Sequence, residues 1–100
     1  MNDSYEFEKV CKNAIIKYYE ENGEITDNVK LSIKDVYVVW SCKTLQNNKA
    51  LLSTTLYDGM YFECTYNGDK KELYLDAYKK WKNIKIEESE FDPVAHVEDL

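Results

Sequence analysis

The residue types able to do chemistry are few in this chain, and they are scattered. His96 is the sole histidine and follows Asp92-Pro93, a context that discourages a helix, so a histidine-activated nucleophile has no rigid footing. It reads as a solvated side chain. Cys11, Cys42 and Cys64 are odd in number, widely spaced and without a C-x-x-C pair, which points to neither a disulfide framework nor a zinc knuckle. Free cysteine of this kind packs as a small hydrophobe. Among the carboxylates of the expected sheet Glu63 is read as standing alone on the outer face, and a lone exposed carboxylate reads as a solubilising group rather than a general base. A glycine-rich phosphate loop, an H-E-x-x-H helix and calcium-loop spacing are all missing from the sequence. The expectation is a protein that is not an enzyme and uses no cofactor or metal.

Recognition chemistry is better represented. Nine tyrosines are present, and Tyr37, Tyr61 and Tyr74 are assigned below to the outer face of a sheet, where they could contact a protein or stack on bases. Ordinary exposed surface is the competing reading. Charge is divided sharply along the chain. All thirteen basic residues are lysines at or before Lys85, and thirteen acids in the same stretch cancel them. The net charge of −6 therefore belongs to Glu87, Glu88, Glu90, Asp92, Glu98 and Asp99. Phe91, Val94, Val97 and Leu100 recur every three residues through that acidic stretch, while Asp92-Pro93 opposes a regular helix. The tail is expected to be flexible, and either to fold back on the lysines of residues 70–85, to dock on a partner, or simply to confer solubility. The candidate partner-binding residues are Tyr37, Tyr61, Glu63 and Tyr74 on the sheet, with Phe91, Asp92, Glu98 and Asp99 in the tail.

These residues must be positioned by one small domain, because 100 residues leave no room for a second core. The expected division is an α+β domain over residues 1–86 and the acidic tail over 87–100. Asp3 and Glu6 have the spacing of a capping box, and Phe7, Val10, Cys11, Ala14, Ile15 and Tyr18 form one helical stripe that Asn22-Gly23 can end. Residues 24–34 fit a strand or a helix equally. From Val36 onward β-branched and aromatic runs alternate with Gln46-Asn47-Asn48, Asp58-Gly59 and Asn67-Gly68-Asp69, which is the signature of an antiparallel meander of three to four strands.

Two-residue loops at Asn47-Asn48 and Asp58-Gly59 pair Cys42 with Ser53 and Ser53 with Cys64. Val38, Trp40, Cys42, Leu51, Tyr57, Met60, Phe62, Cys64 and Tyr66 then share the face that the helix covers. Cys42 and Cys64 fall in one row two strands apart, too distant for a disulfide. The stretch from Lys71 to Asn83 reads as a strand to about Leu75, followed by a helical turn or more strand. A wholly helical reading, making a short C-terminal helix, competes with it.

No apolar run is long enough to span a bilayer, and MNDSYEFEK lacks the pattern of a signal segment, so a cytoplasmic protein without membrane attachment is expected. The stretch from Tyr37 to Asn83, with its KTLQN turn, STTL-x-DGM and TYNGDK hairpin, resembles an uncharacterised family of small proteins encoded by phages and prophages of low-GC Gram-positive bacteria. That resemblance implies a mobile-element setting in a bacterial host and supplies no catalytic residue; the first helix and the tail lie outside it. The leading expectation is an accessory protein that binds and inhibits or redirects a host protein, including an anti-phage defence factor such as a CRISPR nuclease. Two others stand beside it. One is a nucleic-acid binder with the element order of a double-stranded-RNA-binding domain, opposed by the cancelled charge and the lack of arginine. The other is a small-ligand binder using an aromatic pocket.

Overall fold

The computed structural model describes residues 4–22 and 30–91. Helix α1 spans Ser4–Asn22 and buries Phe7, Cys11, Ile15 and Tyr19, one residue every four along a single face. Val10, Ala14 and Tyr18 flank that row and are half-buried. The stripe expected from spacing is present, but its last deep residue is Tyr19 rather than Tyr18, because a row of i, i+4 positions winds slowly around a helix of 3.6 residues per turn. Asn22 ends the helix as expected; the Asp3 half of the capping box lies outside the described residues.

A 3-10 turn at Ile33–Asp35 delivers the chain to the sheet. Asp35 Oδ2 accepts the Ser32 amide at 2.9 Å and the Ser32 hydroxyl at 3.0 Å, and these two donors hold its carboxyl below the ordinary aspartate value. Four strands follow, β1 Val36–Thr44, β2 Asn47–Thr54, β3 Met60–Asn67 and β4 Glu72–Lys79, in one antiparallel sheet of order β1-β2-β3-β4. The α+β reading is correct, and the meander has four strands. Leu73 and Leu75 turn toward the helix side, so the strand reading from about Lys71 to Leu75 holds; the strand continues to Lys79, and no C-terminal helix forms up to residue 91 beyond a 3-10 turn at Glu88–Glu90.

The first two turns differ from expectation, and the differences move side chains between faces. The β1–β2 loop is Leu45-Gln46, two residues upstream of Asn47-Asn48, because Thr44 pairs with Asn47. Leu45 adopts a positive φ of 57° in this loop. Asn47 instead holds the β3–β4 turn, its Oδ1 accepting the Gly68 amide at 3.2 Å, and Asn48 is buried. At the β2–β3 connection Ser53 pairs with Tyr61 and Ala50 with Cys64, so the loop is wider than Asp58-Gly59 alone. Asp58 Oδ1 accepts the Met60 amide at 3.1 Å, and Gly59 adopts φ 72°.

A third departure lies inside β1, where a bulge between Val38 and Trp40 inserts one extra residue. That residue reverses the alternation beyond it. Ser41, not Trp40 or Cys42, faces the helix, and its hydroxyl lies 3.4 Å from Glu8 Oε1. Trp40 and Cys42 therefore belong to the outer face, against expectation; Leu51 joins them because the wider β2–β3 loop shifts β2 by an odd number of residues against β3, and Tyr57 is fully exposed in the loop. Val38, Met60, Phe62, Cys64 and Tyr66 keep their expected place on the covered side.

The core consists of Phe7, Cys11, Ile15 and Tyr19 from the helix against Val36, Ala50, Leu52, Phe62 and Cys64 from the sheet. Phe62 is its hub, with the Tyr18 and Tyr19 rings set edge-on at 5.4 and 5.5 Å. Cys64 meets Cys11 rather than sharing a row with Cys42, and this thiol contact, with burial second, pushes the Cys11 thiol upward. All three cysteines are free.

Candidate protein-docking face

With α1 on one side of the sheet, strand alternation aims the remaining side chains at the other. Registers carried across all four strands give the rows of that face. One row is Tyr37, Ser53, Tyr61 and Tyr78; the next is Trp40, Leu51, Glu63 and Asp76; the third is Cys42, Lys49, Thr65 and Tyr74. Tyr37, Trp40, Tyr74 and Tyr78 are 43–53% exposed, and no described element packs over them. The middle is less open. Glu63 is half-buried and pairs with Lys49 at 3.3 Å, and Tyr61 lies under the Lys80 ammonium, 5.9 Å from its ring centroid.

Rotamers at the rim are partly fixed. Tyr74 donates its hydroxyl to Glu72 in a short hydrogen bond, and that carboxylate raises the phenol above its ordinary value. At one end of the face a cleft of about 570 Å³ opens among Tyr37, Ser53, Thr55, Tyr57, Tyr61 and Lys80. The Ser53 hydroxyl is not free to serve it, since it donates to the Met60 carbonyl at 2.9 Å.

Aromatic edges and hydroxyls on a sheet face can recognise a surface. Among the described residues no group of three or more histidine, cysteine, aspartate or glutamate side chains is placed to hold a metal. No described helix is long and apolar enough to cross a membrane.

Four of the sequence-derived candidates, Tyr37, Tyr61, Glu63 and Tyr74, come together on this face. Phe91 is exposed and not part of it, while Asp92, Glu98 and Asp99 lie outside the described residues. Sequence reasoning missed Trp40 and Tyr78. Tyr78 was within reach, since counting by twos from Tyr74 through Asp76 arrives at it. Trp40 was hidden by the bulge.

The architecture defines a class: an open-faced α+β domain in which one helix covers one side of a four-stranded antiparallel meander. Within that class the chain belongs to a family of unknown function, DUF6275, whose model matches residues 8–88. The matched residues include Tyr37–Asn83 and most of α1, and stop short of most of the acidic tail. Neither a curated protein nor a solved structure matches the chain.

Proposed function

We propose that this protein is a small non-catalytic binding protein that docks on another protein, with the uncovered aromatic face of the sheet as its contact surface. The observation that carries the reading is the exposure of Tyr37, Trp40, Tyr74 and Tyr78 on one rigid sheet face with no described element over them. Tyrosine and tryptophan present large, stiff, amphipathic area at low conformational cost, and both are enriched at protein interfaces. The resemblance to small phage and prophage proteins suggests the partner's kind: a host protein, including an anti-phage defence factor such as a CRISPR nuclease, whose activity the contact inhibits or redirects.

Nucleic acid fits this face less well. Stacking platforms combine aromatics with a basic groove. Here Glu63 and Asp76 occupy the middle row, lysines and acids cancel through Lys85, and arginine is absent. The double-stranded-RNA-binding order also requires a C-terminal helix, where this chain has β4.

The test is capture from a host lysate on the immobilised protein, comparing wild type with a Tyr74→Ser/Tyr78→Ser double variant of unchanged circular dichroism. Loss of the captured protein in the variant is expected. Undiminished capture would remove the face from the mechanism, and retained material that disappears on nuclease digestion would favour nucleic acid.

A further inference from the structure

Beyond Lys80, whose amide still donates to the Gly59 carbonyl at 2.7 Å, the chain leaves the sheet. Residues 80–91 are exposed along their whole length, including Trp81 at 91%, Ile84 at 69% and Ile86 at 59%. Their order is that of a strand: Asn83, Ile84, Lys85, Ile86 and Glu87 alternate polar and apolar. An arm with strand periodicity and three large apolar side chains in solvent lacks the partner its pattern requires.

The two edges of the sheet are not equivalent. β1 is interrupted by the bulge after Val38, a device that spoils edge pairing. β4 pairs with β3 through all eight of its residues without a bulge, contains no proline, and is last in the sheet order. Its outer edge is a regular template for another strand. It also carries Glu72 and Asp76, whereas the arm carries Lys82 and Lys85.

We propose that the arm at residues 81–86 adds as a fifth antiparallel strand to β4 of a second copy of this chain, and that the second copy's arm returns the contact. The register follows from the side chains. Setting Ile84 opposite Leu75 and Ile86 opposite Leu73 lengthens two rows on the covered side, Ala50–Cys64–Leu75 and Asn48–Tyr66–Leu73, by one apolar residue each. The same setting puts Trp81 opposite Tyr78, Asn83 opposite Asp76 and Lys85 opposite Tyr74, with Glu72 and Asp76 diagonal to the Lys85 ammonium.

In every such pair the two residues lie equally far from the Lys79–Lys80 bond. The contact is therefore reciprocal about a two-fold axis, as an isologous dimer demands. Lys80 and Trp81 fall on the same side, so one bulge residue marks the exit from the sheet. Glu87 falls opposite Glu72, and that like-charged pair ends the added strand at Ile86.

Sedimentation equilibrium of the full chain tests this, over roughly 10 to 200 µM so that mass action is visible. A dimer is expected. The Ile84→Asp/Ile86→Asp variant should show a two-fold lower mass with unchanged circular dichroism. In a Cys42→Ser background, Tyr74→Cys with Lys85→Cys should yield a disulfide-linked dimer on mild oxidation, while Tyr74→Cys with Ile84→Cys should not. A wild-type chain monomeric throughout, or a dimer that survives the double aspartate change, overturns the proposal. A monomer whose arm is needed to capture a host protein also overturns it, in favour of a heterologous partner, and leaves the docking reading standing.

Discussion

The Tyr19 hydroxyl donates to Asp58 Oδ2 at 2.6 Å while the other oxygen of the same carboxylate accepts the Met60 amide, so two side chains tie the end of α1 to the loop that opens β3. Tyr19 is 8% exposed. Burial first, and the Asp58 carboxylate second, raise its phenol above the ordinary tyrosine value. The folded state thus holds this proton more tightly than the unfolded chain does. The stabilisation is complete below the unfolded value of about 10 and is lost as pH rises past it. Thermal melts of wild type and Tyr19→Phe from about pH 8 to 12 should accordingly converge as pH rises, because only wild type has this phenol to ionise. A constant gap between the two curves across the range would show that the Tyr19 proton plays no part in alkaline unfolding.

At the scale of elements, Leu45 is one of two non-glycine residues with positive φ in the described backbone, beside Lys71. It is 84% exposed and adopts φ 57°, where a side chain with a Cβ costs about 1–2 kcal/mol and asparagine is tolerated better. Leu45→Asn removes almost no packing. It should raise Tm by about 2 to 6 °C for a domain of this size, as read by differential scanning calorimetry; a fall in Tm would mean that the exposed leucine makes a contact worth more than the strain.

The same turn shows why the sequence was only partly legible. Asparagines at positions 47 and 48 are the better turn formers by local preference, so they drew the turn toward themselves. What outweighs that preference is tertiary: Asn47 is needed against the β3–β4 turn, where Gly68 comes so close to the Gln46 carbonyl that a Cβ would not fit. The bulge at Val39 is equally invisible, since V-Y-V-V-W-S-C alternates well enough in either parity. Helix α1 and β3 were readable because their periodicity is long and uninterrupted; β4 was readable only to about Leu75, because Leu73, Tyr74, Ala77, Tyr78 and Trp81 also have helical spacing. Of the docking face, the part on those two strands was readable, apart from the overlooked Tyr78. The part beyond the bulge in β1 was not.

Over the whole molecule the two sheet faces divide the work, and substitutions on them should differ accordingly. One face with one helix is the entire described core, and a domain of this size has a net stability of about 5–15 kcal/mol or less. Phe62 is fully buried at the centre of that core, touching both Tyr18 and Tyr19. Phe62→Ala removes its ring and leaves a cavity that the helix above can only partly fill, at about 3–5 kcal/mol. The other face makes no such contribution: Tyr74 is 53% exposed, and its hydroxyl bonds a neighbour on its own strand. Tyr74→Ser should change stability by less than about 1 kcal/mol. Urea unfolding followed by circular dichroism should show a large fall in midpoint for Phe62→Ala and almost none for Tyr74→Ser. If Tyr74→Ser proved as damaging as Phe62→Ala, the outer aromatics would be structural. The exposed face would then have to be reassigned from partner contact to holding the fold itself.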